Sequence, residues 1–397
     1  MPDSSLPAPQ RKEIIMYNIL KLNKIAAVGT DRLGENYNCV DECPNPDGIL
    51  VRSAAMHDME LPESLLAIAR AGAGVNNIPL DKCTERGICV FNTPGANANA
   101  VMELVVAGLL LGSRKIAQGI QWNLTLKDDE NCLKTVEKGK SQFVGPEIKG
   151  KTIGVVGLGA IGVLVANAAR ALHMHVVGYD PYLSVDAALH LSRHVATVSN
   201  IDELYAQADY ITYHLPLNDG TRGMVNAESI AKMKDEVRIL NFSRDGLVNS
   251  KDIIDGLNSG KIASYVTDFA TQDLLGVDGV VAMPHLGAST PESEDNCAIM
   301  AADEVKQYLE LGNVKNSVNF PNVSMPKSGD VRFCVFHQNT PKIISKLLEV
   351  IGGNVENMEN KSRGDYAYTI IDATAPNADA EEAVKEIKGI VRYRVIK

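Results

Sequence analysis

The chain has 397 residues, 45% of them hydrophobic, and a formal net charge of −10, which suits two to three domains with ordinary cores. The acidic balance excludes a general nucleic-acid or anionic-membrane binder, because both need a broad basic surface, and no apolar run is long enough to cross a bilayer. Seven scattered cysteines indicate free thiols in a reducing compartment, so we expect a cytoplasmic protein without a metal site.

Residues 1–15 are polar and rich in proline and serine, and we expect a disordered leader there. Short apolar runs then alternate with helical patterns, which predicts a parallel sheet with helices on its faces. The predicted strands lie at 24–28, 48–52 and 88–92, and the predicted helices at 62–71, ending at Gly72, and at 97–115. The charged segment 127–140 is predicted to be solvated.

From Gly150 the alternation restarts with stronger signals. A helix is predicted to begin at Asn249 or Ser250 as its N-cap and to close at Gly260. A long helix is predicted from Pro291 to Leu311, capped by Thr290. Six strands are predicted, at 152–156, 175–180, 209–214, 238–243, 264–269 and 279–283.

Two prolines between 319 and 329 indicate a linker. The remaining residues, 330–397, follow the order strand, helix, strand, strand, helix, strand, which is the split βαββαβ order of ferredoxin-like domains. We therefore expect a small separate domain at the end of the chain. Its strands are predicted at 331–336, 354–360, 366–373 and 391–396, and its helices at 341–350 and 378–388.

The glycines Gly157, Gly159 and Gly162 form a G-x-G-x-x-G motif between a predicted strand and an alanine-rich helix. In that setting they allow a tight turn, close approach of a pyrophosphate and close helix–strand packing, and the helix N-terminus holds the phosphates. Asp180 ends the next predicted strand, where its carboxylate can bind the adenosine ribose hydroxyls and repel a 2′-phosphate. The motif therefore predicts NAD rather than NADP.

Arg244 and His285 each follow a predicted buried strand, at the sheet edge where open α/β folds bind ligands. A guanidinium can hold a carboxylate through two parallel hydrogen bonds. A neutral imidazole can accept the hydroxyl proton as hydride leaves the adjacent carbon. Together with the glycine motif they predict hydride transfer between a 2-hydroxy acid and a nicotinamide.

From about residue 25 to 311 the sequence resembles the D-isomer-specific 2-hydroxyacid dehydrogenases. The resemblance implies two Rossmann-like parallel-sheet domains, a flavodoxin-like substrate domain made of 16–98 and 290–320 and an NAD-binding domain at 99–289, with 321–329 as linker. It rests on the motifs VRSA at 51–54, RAGAGVNN at 70–77, NTPGAN at 92–97, the glycine motif, NFSRDG at 241–246, SGK at 259–261 and PHLGAST at 284–290.

The same resemblance implies an Arg–Glu–His catalytic set, which falls on Arg244, Asp273 and His285. The glutamate position holds the shorter Asp273, and Asp245 stands where the family usually has glycine, so we expect Asp245 to point away from an anionic substrate. The implied substrate contacts are Arg52, Ser53, Gly74 and Asn97. The implied cofactor contacts beyond the three glycines and Asp180 are Ala160, Ile161, Leu215, Pro216, Ser243, Asp268 and Gly287.

The segment 330–397 resembles the ACT regulatory domains that follow some members of this family and bind serine between paired domains. HQNTP at 337–341 and NVENM at 354–358 match the two ligand loops of those domains. The implied regulatory-ligand contacts are therefore His337, Asn339 and Asn354. A dimerisation module without a ligand is the alternative for this domain.

The implied activity is NAD-dependent oxidation of a phosphorylated 2-hydroxy acid, D-3-phosphoglycerate, at the first step of L-serine biosynthesis, with serine as the expected feedback effector. We expect a homodimer or homotetramer, paired through helices near 97–115 and through the terminal domains, with no nucleic-acid or membrane partner. Three alternatives remain open at this point. They are a dehydrogenase of the same fold acting on another acid such as hydroxypyruvate or D-lactate, an NAD-sensing regulatory protein, and an amino-acid-binding regulator with a decayed catalytic domain.

Overall fold

The computed structural model describes residues 15–397, so the leader predicted at 1–15 lies, apart from Ile15, outside the described residues. The chain divides into two compact units. The first unit contains the residues through Ala96 together with 294–397, and the second contains 97–293. Among residues 15–397 no helix is both long and apolar enough to cross a membrane.

The first unit contains, within the described residues, a parallel sheet of five strands in the order β2-β1-β3-β4-β5. This is the flavodoxin-like order, in which ligands bind outside the carboxyl ends of the strands. The predicted strands at 48–52 and 88–92 are confirmed. The elements are β1 Tyr17–Leu22, α1 Ala27–Asp31, β2 Tyr37–Val40, β3 Gly48–Val51, β4 Ala67–Arg70, α2 Leu80–Glu85 and β5 Cys89–Asn92.

Two predictions in this region are wrong. Residues 24–28 do not form a strand, because β1 precedes them and α1 begins at Ala27. Residues 62–71 do not form a helix, because β4 occupies 67–70 between β3 and β5. A short apolar run fits a buried strand and a buried helix equally well by periodicity, and here the pairing with two parallel neighbours decides the outcome.

Residues 97–293, all of them described, form a parallel sheet of seven strands in the order β12-β11-β10-β9-β6-β7-β8. The strand order reverses between β6 and β9, as in dinucleotide-binding folds. All six strands predicted after Gly150 are confirmed to within two residues. The elements are α3 Ala98–Ser113, α4 Ile116–Thr125, α5 Cys132–Gly139, a 3-10 turn Lys140–Phe143, β6 Thr152–Val156, α6 Ala160–Ala171, β7 His175–Tyr179, α7 Val185–His190, β8 Ala196–Thr197, α8 Ile201–Gln207, β9 Tyr210–Tyr213, α9 Ala227–Lys232, β10 Val237–Asn241, a 3-10 turn Asp245–Leu247, α10 Ser250–Asn258, β11 Ile262–Thr267 and β12 Val280–Ala282.

The predicted helix ends in this region are also confirmed. The Asn249 side chain accepts hydrogen bonds from the first backbone N–H groups of α10, and Gly260 takes the left-handed conformation beyond its end, with φ of 77°. The long helix α11 spans Pro291–Leu311. The Thr290 hydroxyl caps it by accepting from the Ser293 N–H at 3.1 Å.

Residues 330–397, likewise fully described, form the predicted βαββαβ arrangement, an antiparallel sheet in the order β14-β15-β13-β16. The observed fold class is therefore the one the sequence predicts, two parallel α/β sheets and a ferredoxin-like terminal domain. Its elements are β13 Val331–Gln338, α12 Ile343–Ile351, β14 Asn354–Arg363, β15 Tyr366–Thr374, α13 Ala380–Lys385 and β16 Ile390–Ile396.

The two faces of this terminal sheet have different partners. One face packs on its own helices through Phe333, Val335 and Ile371. The other face carries Phe336 and Tyr368, which join the hydrophobic core of the first unit together with residues of β3, β5 and α11. Phe336 stacks between Phe320 and Tyr368, with ring centroids 4.1 and 4.2 Å away.

Polar contacts reinforce this shared core. The Arg394 guanidinium donates to the backbone oxygens of Tyr308 and Leu309 near the end of α11, at 3.1 and 2.7 Å. Arg392 donates to the backbone oxygens of Glu63 and Leu65, just before β4. The terminal domain and the five-stranded sheet therefore form one packed body within the first unit.

Candidate functional site

The glycine turn between β6 and α6 has the shape that a bound dinucleotide requires. Gly157 has φ of 92°, and a side chain there would collide with the backbone oxygen of His214. A side chain at Gly162 would collide with the backbone oxygen of Gly157. Beside Gly159, in contrast, no described atom outside its immediate chain neighbours lies within 4 Å of the position that a Cβ would occupy.

This open space lies at the start of α6, which includes Ala160 and Ile161. No described side chain caps that helix end, so the N–H groups of its first turn have no partner from a capping side chain. Unpartnered N–H groups at a helix N-terminus bind phosphates. The turn therefore fits the pyrophosphate of NAD, and Gly159 leaves the room that it needs.

Asp180 lies directly beside the turn, after β7. Its Oδ2 accepts a hydrogen bond from the Leu158 N–H and its Oδ1 from the Tyr182 N–H, both at 2.8 Å. Each carboxylate oxygen can accept a further hydrogen bond, so the group remains able to bind ribose hydroxyls. Leu215 approaches the turn from β9, since a Cβ at Gly157 would lie 2.9 Å from its Cδ2, and Pro216 follows it.

Our sequence reasoning missed His214, the residue between β9 and Leu215. Its Nε2 pairs with the Thr212 hydroxyl at 3.0 Å, and its Nδ1 is buried with no partner among residues 15–397. Burial lowers the pKa of His214 to about 3, so the imidazole is neutral. His214 directly follows the buried strand β9, as Arg244 follows β10. The same sequence signal, a polar residue just after a buried strand, could therefore have identified it.

Arg244 is held by its backbone and presents its side chain at the surface of the second unit. The buried Asn241 side chain donates to the Arg244 backbone oxygen at 2.9 Å and accepts from the Ser243 N–H at 3.2 Å. The Ser243 hydroxyl donates to the Tyr213 backbone oxygen at 2.6 Å, tying this segment to β9. The guanidinium is exposed and uses Nη1 to reach the Ser243 backbone oxygen, which leaves further N–H groups for a carboxylate.

His285 and Asp268 lie near each other, on the loops that follow β12 and β11. The His285 imidazole is exposed, and the ring of Phe269, next to Asp268, packs edge-on against it at 4.9 Å between centroids. Asp268 is 2% exposed. Burial raises the pKa of Asp268. The charge of His285, the backbone N–H groups of Asp268 and Gly287 and, most weakly, the charge of Arg244 oppose that rise. Gly287 lies beside the Asp268 carboxylate, since a Cβ at this glycine would lie 3.6 Å from Asp268 Oδ2.

Asp273 is placed differently. It is exposed, in the turn beyond β11. Its pKa is lowered, first by the side chain of Thr271 and less by that of Ser250 at the start of α10. Asp245 is also exposed. The structure thus brings Asp268 into the electrostatic surroundings of His285 and Arg244, while Asp273 interacts with Thr271 and Ser250.

The first unit carries three of the predicted substrate contacts. Arg52 follows β3 and pairs with Glu294 at 2.8 Å, and the Ser53 N–H donates to Asn23 Oδ1 at 3.0 Å. A Cβ at Gly74 would lie 3.6 Å from Nη1 of Arg70. Asn97, the fourth predicted contact, precedes α3 in the second unit.

Sequence reasoning missed Arg70. It ends β4 and donates from Nε to the Arg52 backbone oxygen at 3.0 Å, so two arginines lie at the same edge of the five-stranded sheet. A cation at the end of a buried strand is a candidate substrate contact. Arg70 was not recognised as one because the sequence predicted a helix at 62–71.

The predicted regulatory residues lie in the terminal domain. His337 is 1% exposed, and both ring nitrogens are engaged at 2.8 Å, with the Gln338 backbone oxygen and the Thr369 hydroxyl. Burial lowers its pKa. Asn339 and Asn354 are exposed.

One copy of the terminal domain does not bring Asn339 and Asn354 together. Gln338, which precedes Asn339, pairs with Tyr366, and Asn354 pairs with Thr374. These partners are the two ends of β15, which are about 25 Å apart at the usual rise of a strand.

Residues 108–287 match the family described as D-isomer specific 2-hydroxyacid dehydrogenase, NAD binding domain. The chain is 34% identical over 338 residues to a D-3-phosphoglycerate dehydrogenase of Methanocaldococcus jannaschii, covering 83% of this chain and 62% of the relative. It is 30% identical over 390 residues to a D-3-phosphoglycerate dehydrogenase of Synechocystis, covering 92% and 68%.

Among solved structures, an NAD-bound 3-phosphoglycerate dehydrogenase of Entamoeba histolytica is similar, with a TM-score of 0.57 and 25% identity over 77% of this chain and 99% of that one. The chain spans about 62% of the length of its Methanocaldococcus relative.

Proposed function

Because the chain belongs to the D-isomer-specific 2-hydroxyacid dehydrogenases, we propose that it oxidises D-3-phosphoglycerate to 3-phosphohydroxypyruvate with NAD, the first step of L-serine biosynthesis. One observation favours a phosphorylated substrate. Arg52 and Arg70 lie side by side at the carboxyl ends of the neighbouring strands β3 and β4. Guanidinium groups are well suited to phosphate. The relatives named above carry the same activity in their names.

NAD, when bound, supplies the hydride acceptor, and the residues of the chain provide the remaining chemistry. The N-terminus of α6 and the glycine turn hold the pyrophosphate, and Asp180 selects NAD through the ribose hydroxyls. Arg244 binds the substrate carboxylate and stabilises the negative charge that develops on the hydroxyl oxygen. His285 accepts the hydroxyl proton. In the family pattern, Asp273 takes the position of the acidic residue that orients the histidine.

The terminal domain is proposed to bind serine between two copies of the chain. Asn339 and Asn354 are exposed amides, which can both donate to a carboxylate and accept from an ammonium group. Since they lie at opposite ends of one sheet, a site using both requires a second copy. Both ring nitrogens of His337 already have hydrogen-bond partners. His337 would therefore support the ligand loop rather than bind serine directly.

We also propose that the chain forms a homo-oligomer through an apolar surface of the second unit. Its α4 and α5 expose the apolar side chains of Ile120, Leu124 and Leu133, with 55%, 66% and 85% of their surface accessible. Burying such side chains against another copy is favourable.

The seven free cysteines favour the cytoplasm as the compartment.

The test is NADH oxidation with 3-phosphohydroxypyruvate beside hydroxypyruvate, pyruvate and 2-oxoglutarate, each with and without serine. We expect the phosphorylated keto acid to be strongly preferred and Arg244→Ala to lose activity about a hundredfold or more. Arg193→Ala, at an exposed arginine of the same unit, is the matched control and should remain active. A preference for an unphosphorylated acid would reassign the chain to another dehydrogenase of the family.

A further inference from the structure

Asn23 directly follows β1, at the carboxyl edge of the five-stranded sheet. Its backbone has φ of 70°, a left-handed conformation that is costly for most residues other than glycine and is best tolerated by asparagine and aspartate. Residues held in this conformation cluster at active sites and ligand clamps, where the surrounding structure maintains them. The side chain of Asn23 supplies the contacts that maintain it here.

The Asn23 side chain holds the turn 52–54, which follows β3 and belongs to no strand or helix. Its Oδ1 accepts hydrogen bonds from the N–H groups of Ser53 at 3.0 Å and Ala54 at 2.6 Å. Only the amide oxygen can accept from an N–H group, so these two bonds fix which way the amide faces. Its Nδ2 has no acceptor among residues 15–397, and both of its hydrogens remain for a ligand.

The carbonyl groups of this turn are bound as well. Arg70 donates from Nε to the Arg52 backbone oxygen at 3.0 Å, and Asn77 donates from Nδ2 to the Ala54 backbone oxygen at 2.8 Å. The two N–H groups that donate to Asn23 are not available to an anion. An anion at this turn would therefore be bound by side chains and not by the backbone.

Three neighbouring strands end at this place. In the sheet, Leu22 of β1 pairs with Val51 of β3, and Val51 pairs with Arg70 of β4. Asn23 and Arg52 are the next residues after β1 and β3, so they lie at the same edge as Arg70. Guanidinium groups supply the positive charge that a phosphate needs, and an exposed amide N–H group beside them can bind a further phosphate oxygen.

We propose that Asn23 is a specificity-determining residue of the phosphate subsite, with its Oδ1 fixing the turn 52–54 and its Nδ2 donating to the phosphate of the substrate. This inference rests on the proposed function of the site. An amide suits the position because it accepts from two N–H groups and donates to an anion at the same time. A carboxylate could only accept, and its charge would repel the phosphate.

The kinetic experiment uses Asn23→Asp in the full-length protein. Aspartate keeps an acceptor for the turn and tolerates the left-handed backbone, so the variant should melt at the same temperature as the unsubstituted protein. It replaces the donor with a negative charge, so KM for 3-phosphohydroxypyruvate should rise at least tenfold. KM for hydroxypyruvate and kcat for both acids should change little.

Two further variants are compared with Asn23→Asp. Asn38→Asp is the matched control, because Asn38 is exposed on β2 and lies opposite Asn18, near the other end of β1. It adds the same charge to the same unit and should change neither KM. Asn23→Gly permits the left-handed backbone but removes both hydrogen-bonding groups, so it should lower the melting temperature as well as raise KM for the phosphorylated acid.

A binding measurement needs no turnover. Calorimetry follows the titration of 3-phosphoglycerate into each protein saturated with NADH, which cannot oxidise this acid. We expect at least tenfold weaker binding in Asn23→Asp and unchanged binding in Asn38→Asp.

These readouts separate the role of Asn23 from the proposed activity. Turnover of 3-phosphohydroxypyruvate with an unchanged KM in Asn23→Asp would keep the activity and overturn the inference. Binding of 3-phosphoglycerate that depends on Asn23, without turnover of any keto acid, would reject the activity and retain the phosphate subsite. The inference also fails if the unsubstituted protein does not bind 3-phosphoglycerate, or if Asn23→Asp melts as low as Asn23→Gly, since the substitution would then act through the turn alone.

Discussion

Arg332 and Asp372 form a two-bonded ion pair that is completely shielded from solvent, joining β13 to β15. Arg332 Nε lies 2.6 Å from Asp372 Oδ1 and Nη2 lies 2.7 Å from Oδ2, and neither side chain has any exposed surface. Nη1 of Arg332 also donates to the backbone oxygen of Leu311 at 2.8 Å. The pair therefore fixes both the terminal sheet and its attachment to the end of α11.

Removing one partner of this ion pair should strongly destabilise the first unit. Asp372→Asn leaves the Arg332 charge buried and uncompensated, and we expect a loss of about 3 to 5 kcal/mol in the free energy of unfolding. Denaturant titration measures the loss. The control is Lys140→Ala, which removes the exposed pair with Glu137 and should cost less than about 1 kcal/mol. Equal effects of the two changes would contradict the structural role of the buried pair.

Two alanine substitutions in the glycine turn should have different effects. Gly162→Ala places a Cβ against the Gly157 backbone oxygen, so it should lower the melting temperature and NADH affinity together. Gly159→Ala enters open space with φ of −76°, so it should leave the fold intact and weaken only NADH binding. Fluorescence titration with NADH, beside thermal melting, measures both. Undiminished NADH binding by Gly159→Ala would mean that the open space is not the phosphate site.

Arg52→Ala should discriminate between substrates. If its guanidinium binds the phosphate, KM for 3-phosphohydroxypyruvate should rise at least tenfold, while KM for hydroxypyruvate should change little, because a charge-assisted bond is worth about 1.5 to 3 kcal/mol. Steady-state kinetics with both acids measure the ratio. Glu294→Gln, which removes the ion-pair partner of Arg52, is the companion variant and should not raise either KM. Parallel rises for both acids in Arg52→Ala would place the phosphate elsewhere.

Glu304 should make the stability of the protein fall as pH rises. It is 7% exposed, its Oε1 accepts from Asn316 at 2.7 Å, and burial raises its pKa from the usual 4.5 to about 8. Between these values the folded state binds a proton that the unfolded state releases. The resulting stabilisation is complete below pH 4.5 and is lost as pH rises through 8.

Glu304→Gln keeps the acceptor for Asn316 and removes the titration. The variant should therefore exceed the unsubstituted protein in stability at pH 9 by more than about 1 kcal/mol, and this advantage should shrink at pH 5. Denaturant titrations at the two pH values measure the difference. An advantage that does not depend on pH would show that Glu304 does not titrate in this range.

The sequence predicts most of the second unit because its signals are local. A glycine motif between a strand and a helix, the Asn249 cap and the Thr290–Pro291 start each act within a few residues, and the structure has them all. The strand β4 could not be recognised from its apolar run alone, since its assignment depends on pairing with β3 and β5.

The surroundings of charged groups were harder to predict than their positions along the chain. Asp268 and Asp273 lie five positions apart, and only the fold buries one and exposes the other. Arg332 and Asp372 meet across two antiparallel strands, a pairing that no short motif encodes. The contacts of Arg392 and Arg394 with backbone oxygens of the first unit are similarly distant in sequence.

The shared core has a consequence for limited proteolysis. Lys327 is exposed and lies between the proline-containing segment and β13, so trypsin can reach a site that looks like the boundary of a detachable module. Cleavage there would break the polypeptide but leave the stacked rings of Phe320 and Phe336 and the contacts of Arg394 in place. The nicked protein should therefore elute from a sizing column as one particle and separate into two bands only in detergent.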